Sequence, residues 1–147
     1  MMNYHIISDI PTSLYPQILD MIHLSFEEYK KKGLRFTCSD YQMTDLVRKV
    51  MRGNCFVALS DGGEVLGITS VSIFPDESAY ENITAISPKA KGLGIGTALF
   101  EAYMNRLSNG GGKIYNFRYG SRSNRFCLLA FEEMWIPQGR FRVFSLY

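Results

Sequence analysis

The chain has 147 residues, a formal net charge of +2 and a pI near 8.4, with 46% hydrophobic and 20% charged residues. That size and balance suit one soluble domain with its own core, and they exclude a disordered or fibrous chain. So small a positive excess argues against a nucleic-acid partner, which would call for a clustered basic face.

No stretch is apolar for long enough to cross a bilayer, and Met1 to Ser8 lacks the basic-then-apolar pattern of a leader. A cytoplasmic protein with no membrane partner is the expectation. Cys38, Cys55 and Cys127 are scattered, form no CxxC pair and have only His5 and His23 for company. They read as reduced thiols, with no metal site.

Tyr4 to Ser8 reads as an opening strand. Leu14, Ile18, Met21, Ile22, Phe26 and Tyr29 recur at helical spacing, which predicts a first helix from about Thr12 to Lys31, with Pro16 in its first turn. Lys30, Lys31 and Lys32 before Gly33 suit the helix C-terminus. Ser39 and Gln42 have capping-box spacing and predict a second helix carrying Met43, Leu46, Val47, Val50 and Met51, stopped by Gly53 and Asn54. Two strands come next, Cys55 to Ser60 and Val65 to Phe74, joined by Asp61-Gly62-Gly63. Pro75 to Ser78 reads as a turn and Asn82 to Ser87 as a further strand.

After Pro88 a glycine-rich loop runs into Ala98, Leu99, Phe100, Tyr103, Met104 and Leu107, apolar residues at helical spacing. Asn109 to Gly112 ends that helix. Lys113 to Arg118 then reads as a strand, Ser123 to about Met134 as a short helix, and Phe141 to Tyr147 as a last strand. The order β-α-α-β-β-β-α-β-α-β gives one mixed α/β (α+β) domain over residues 1–147, a mostly antiparallel sheet flanked by helices.

Lys89-Ala90-Lys91-Gly92-Leu93-Gly94-Ile95-Gly96-Thr97 is the most informative stretch. A helix's first turn leaves up to four N–H groups unpaired and carries about half a positive charge. Alternating glycines let an anion touch that main chain and allow positive φ. Lys89 and Lys91 add charge, and Thr97 offers a hydroxyl. The stretch suits a pyrophosphate. A P-loop would need a lysine after its glycines. A dinucleotide fold would need a third glycine where Thr97 stands, and a βαβ unit where hairpins stand.

Lys91-Gly92-Leu93-Gly94-Ile95-Gly96 resembles the Q/R-x-x-G-x-G/A loop of the GNAT (GCN5-related N-acetyltransferase) superfamily, with lysine at the first position. Ile83 to Pro88 looks like the strand and proline that lead into it. The resemblance implies acetyl-CoA as co-substrate and an amine acceptor. It further implies that main-chain groups of Gly92, Leu93, Gly94, Ile95, Gly96 and Thr97 hold the pyrophosphate, while Ala85 and Ile86 bond the pantetheine arm. A second family motif, N-x-x-A-x-x-x-Y-x-x-x-G-F, falls on Asn124, Cys127, Phe131, Trp135 and Ile136. Only Asn124 matches by identity; it would bond the coenzyme. Phe131 replaces a tyrosine that protonates the leaving thiolate, and packs without donating. After Ile136 only one strand fits, so the C-terminal end is short. Its open edge suggests a homodimer through that strand.

The implied reaction is direct attack of an amine on a thioester in a ternary complex. It needs an oxyanion donor, implied near the Ile86 N–H, and a proton acceptor. The family's strand glutamate corresponds to Asn82, which cannot serve. Glu81 and Tyr80 are the side-chain candidates, Glu81 facing away from Asn82 unless a bulge rotates it, and with no tyrosine at 131 and no glutamate at 82 proton transfer through water is the preferred reading. Tyr119, Glu27 and Glu28 are further candidates; the resemblance places the acceptor groove by the first two helices and the loop Gly33 to Cys38, so Glu27 and Glu28 could bind a cationic substrate there. The alternative reading is an acyl-CoA-binding sensor or scaffold without turnover.

Overall fold

The computed structural model describes residues 2–34, 36–75, 78–108, 116–120 and 142–146, without side-chain detail at 78–80, 107–108 and the last two of these segments. Six strands form one sheet in sequence order: β1 (Tyr4–Ile7), β2 (Asn54–Ser60), β3 (Val65–Ile73), β4 (Ser78–Ile86), β5 (Asn116–Gly120) and β6 (Arg142–Leu146). Neighbours from β1 to β4 run antiparallel, whereas β4–β5 and β5–β6 are parallel. The expected short helix after Ser123, with Asn124 and Phe131, lies outside the described residues.

Helix α1 (Tyr15–Lys31) comes after a 3-10 turn at Thr12–Leu14 and has Pro16 in its first turn, where a missing N–H costs no bond. It ends as its sequence suggests. Gly33 takes φ +78°, its N–H bonds Lys30 O at 3.1 Å, and the Leu34 N–H bonds Tyr29 O at 2.9 Å. This paired closure satisfies carbonyls that the last helical turn leaves free.

The second helix departs from expectation. Ser39 sits in a 3-10 turn (Thr37–Asp40), and Tyr41 is extended (φ −57°, ψ 134°), so no helix can start there. Gln42 is the cap instead. Its N–H donates to Asp45 Oδ2 at 3.0 Å, and its side chain accepts from the Asp45 N–H. One turn of α2 (Met43–Asp45) then widens into a π-turn, Leu46–Val50, which buries Leu46 and Val50 and leaves Val47 exposed.

Each face of the sheet has its own core. Along β2, Cys55 and Val57 enter the layer under α1 with Ile18, Ile22, Ile68 and Ile83. Phe56 and Ala58 alternate into the layer under α3 (Ile95–Ser108), with Leu66, Leu99, Phe100 and Tyr103. Strand β4 begins at Ser78, earlier than its own pattern indicates, because Ala79 and Tyr80 pair with Ile73 and Ser72. Two bulges interrupt the ladders, one at Leu66 and one at Asn82.

Gly67 sits where the start of α3 meets the sheet. A Cβ there would stand 2.9 Å from Ile86 Cδ1, 3.1 Å from Ile95 Cγ2 and 3.2 Å from the Ala85 carbonyl. Gly67→Ala should lower the free energy of unfolding in urea by about 1–3 kcal/mol, as overpacking does. At Gly62 the nearest such atom is Ser60 Oγ at 3.7 Å, and Gly62→Ala should stay within about 0.5 kcal/mol of the parent.

Candidate functional site

β4 and β5 stay together for only three residue pairs: Ser78 with Asn116, Ala79 with Phe117, Tyr80 with Arg118. From there β5 continues beside β6, with Tyr119 opposite Ser145 and Gly120 opposite Leu146. Among the described residues no strand pairs with residues 81–86 on the β5 side. The ladder geometry fixes which groups face that side. The Ser87 N–H donates to Leu66 O at 2.8 Å, across to β3. Peptide groups of successive strand residues alternate in direction, so Ala85 and Ile83 also turn theirs to β3 while Thr84 and Ile86 turn theirs outward. The side chain of Ala85 is buried in the α1-side core.

The bulge sits at the point of parting. Ser70 opposes Ile83 but Val71 opposes Glu81, so Asn82 is the extra residue. Despite the bulge, Glu81 faces away from Asn82. Its cross-strand partner Val71 belongs to the α3-side core, and Glu81 is 5% exposed there. The Thr84 hydroxyl donates to Glu81 Oε1, and Thr84 Oγ1 lies 2.9 Å from Thr69 Oγ1. Asn82 is held on the opposite face: its Nδ2 lies 3.0 Å from Ser70 Oγ and 2.9 Å from Ser72 Oγ. Ser70 Oγ donates in turn to Val50 O at 2.6 Å, which ties the bulge to the π-turn. Gly53 makes room for this cluster, since a Cβ there would stand 2.7 Å from Asn82 Nδ2.

Past Ile86 the chain turns through Pro88–Ala90 into the glycine loop. Gly92 and Gly94 have φ of +80° and +79°, and a Cβ at either would meet nothing within 4 Å. Gly96 lies inside α3, where a Cβ would stand 4.0 Å from Ile86 Cδ1. The Ala98 N–H bonds Gly94 O at 3.0 Å, which starts the helical ladder. Among the described residues the N–H groups of Ile95, Gly96 and Thr97 have no such partner, so the dipole end of α3 is open. Ile95 anchors the turn at 1% exposure, while Lys91, Leu93 and Thr97 are exposed. The open strand edge and the helix terminus are thus joined by one short stretch, and a pyrophosphate bearing an extended arm fits that arrangement.

The loop lysines are already paired. Lys91 Nζ lies 3.2 Å from Glu28 Oε2, and Lys89 Nζ pairs with Glu64 Oε1. Lys91, and then Lys32, hold the Glu28 carboxyl below its ordinary value.

On the outer flank of α1, His23, Leu24, Phe26 and Glu27 border a groove of about 480 Å³ closed by Asp40 and Gln42. His23 Nε2 lies 2.7 Å from Tyr41 O; a carbonyl only accepts, so this nitrogen carries the proton. None of the lining comes from the sheet. Phe36, in the loop expected to line an acceptor groove, packs on Phe26 and Tyr29 at 5.4 Å each. Burial pushes the Cys38 thiol up to about 11 and raises that of Cys55. Neither is set up as a nucleophile. Among the described residues no group of His, Cys, Asp or Glu is arranged to hold a metal ion, and no helix is long and apolar enough to cross a membrane.

Sequence reading singled out the loop, Ile86 and Glu81 as candidates. It missed Thr84, Gly67 and the carboxylate partners of the lysines. Only Gly67 carried a local signal, as a glycine inside a strand pattern.

Residues 16–125 match the model of a family described as the acetyltransferase (GNAT) family. No curated protein matches the sequence. Several solved structures share the fold. The PaiA N-acetyltransferase of Thermoplasma acidophilum, solved with coenzyme A, superposes with a TM-score of 0.69 at 13% identity, over 90% of this chain and 88% of that one. A GNAT-family acetyltransferase of Staphylococcus aureus Mu50 gives 0.65 at 12% identity, over 88% and 80%. One from Brucella melitensis, in complex with acetyl-CoA, gives 0.57 at 20% identity, over 74% and 71%.

Backbone strain supplies a test of the loop. Gly94→Ala forces a side chain into the left-handed region and should cost about 1–2 kcal/mol of stability in thermal or urea unfolding. Gly96→Ala has helical geometry and room, and should raise stability by up to about 1 kcal/mol.

Proposed function

Since this chain belongs to the acetyltransferase (GNAT) family and carries its fold, we propose that it moves the acetyl group of acetyl-CoA to an amine of a small molecule or protein, by direct attack in a ternary complex. The observation that carries this reading is the continuity between the glycine loop and an edge of β4 that is unpaired among the described residues. The loop offers positive-φ glycines and a free helix terminus for a pyrophosphate, with Lys91 beside it. The edge offers outward main-chain groups at Thr84 and Ile86 for an amide-bearing arm. Ala85 then serves by packing under that edge rather than by bonding to it.

In the proposed chemistry the Ile86 N–H donates to the thioester oxygen as charge develops there. The attacking amine loses its proton to water or to a side chain. Glu81, steadied by the Thr84 hydroxyl beside the open edge, is the better placed carboxylate; Tyr80 is the alternative within the same strand. Asn82 has no basic atom and has its amide engaged by two serines. Asn124 is proposed to make a polar contact to the coenzyme, and Phe131 has no proton to donate to the leaving thiolate. The acceptor is proposed to enter past the α1–α2 elements, where Glu27 in the groove suits a cation, and to reach the thioester at the edge of β4, where Glu81 on the α3 face takes its proton through water. The free thiols of Cys38 and Cys55 suit a reducing, cytoplasmic setting. Strand β6, at the edge of the sheet, is the proposed contact for a second copy.

Calorimetric titration with acetyl-CoA and CoA should give binding that Gly94→Asp with Gly96→Asp abolishes, and a mixed amine panel should give amine-dependent thiol release. Binding without release on any amine would favour a sensor, and absence of binding would overturn both readings. Glu81→Gln should cut kcat by about 10²-fold or more while leaving coenzyme affinity within twofold. An unchanged kcat would leave proton removal to water.

A further inference from the structure

The two lysines that flank the glycine loop are each held by a carboxylate from a distant part of the chain. Glu28, near the end of α1, reaches Lys91 across 63 residues of sequence, with Nζ and Oε2 3.2 Å apart. Glu64, in the β2–β3 turn, pairs with Lys89. Glu28 also has a second cation, Lys32, at 3.4 Å and one helical turn away. It therefore keeps a partner if Lys91 leaves, and the exposed Glu28–Lys91 pair contributes little to folding.

Lys91 opens the loop, and among the described residues its ammonium is the side-chain cation closest in sequence to the N–H groups of Gly92 to Thr97. A single ammonium cannot give its full charge to a carboxylate and to a pyrophosphate at once. We infer that Glu28 is an affinity-determining residue for the coenzyme: its carboxylate competes with the pyrophosphate for Lys91, and coenzyme binding transfers that lysine from α1 to the ligand. This rests on the reading that the loop holds a pyrophosphate. It adds that the free protein supplies its own anion, and that binding unties the end of α1 from the loop. Lys91 above all, and then Lys32, holds the Glu28 carboxyl low, so the competitor is ionised at neutral pH.

Glu28→Gln should tighten CoA binding by about three- to fivefold at low salt, the scale of one exposed ion pair, and the gain should shrink below about 1.5-fold at 0.5 M salt as screening shortens the interaction. Pantetheine, which has the arm without the phosphates, should bind Glu28→Gln and the parent equally. Glu101→Gln makes the same charge change on an exposed residue of α3 and should not reproduce the gain. In a Lys91→Met background CoA should bind more weakly, and Glu28→Gln should then alter its affinity by less than about 1.5-fold, since the contested cation is gone. Unchanged CoA affinity in Glu28→Gln at low salt, or an equal gain for pantetheine, would overturn the inference while the coenzyme reading stands. A parent protein that binds no CoA would overturn both.

Discussion

Strand β4 is nine residues long, yet β5 accompanies it for only three. Main-chain groups within a sheet almost always find partners, so a strand that, among the described residues, loses its neighbour midway sets the terms for what surrounds it. The bulge at Asn82 stands at the parting and is clamped from the α1 side by Ser70, Ser72 and the Val50 carbonyl. Beyond the bulge, Thr84 to Ile86 remain bonded to β3 on one side and offer their outward groups on the other. The same strand then delivers the chain to the glycine loop, so one covalent path supplies both an open edge and an open helix terminus.

The rest of the packing keeps that path in place. Ile95, the first residue of α3, is sunk against the sheet where Gly67 provides clearance. Without that close approach the helix end would stand off from β4 and the two halves of the site would separate. Electrostatics act in the opposite sense. The helix terminus and its lysines attract anions, but Glu28 and Glu64 take up both lysines in the free protein. The candidate site is thus positioned by buried packing in its main chain, while its lysines are held only by exposed ion pairs.

Much of this was legible in the sequence because it rests on local signals. The glycine and lysine alternation after Pro88, the Gly33 stop and the period of α1 all report conformations that their own residues prefer. The failures are equally physical. Ser39 and Gln42 have capping-box spacing, but Tyr41 is extended between them and the working pair is Gln42 with Asp45. The first residues of β4 carry no strong strand signal; β3 and β5 recruit them. A bulge moves no composition and leaves no pattern, so the face of Glu81 could be stated only conditionally. The partners of Lys89 and Lys91 lie 25 and 63 residues away, beyond the reach of any local reading.

One continuous main-chain path, from the edge of β4 left unpaired among the described residues to the first turn of α3, is the proposed coenzyme site. Amide shift mapping of isotopically labelled protein titrated with CoA, and separately with pantetheine, tests it most directly. CoA should shift the N–H signals of Thr84, Ile86, Gly92, Gly94, Ile95, Gly96 and Thr97, and pantetheine should shift those of Thr84 and Ile86 without the loop glycines. Shifts confined to the outer groove of α1, or a loop that stays silent while CoA binds elsewhere, would contradict it.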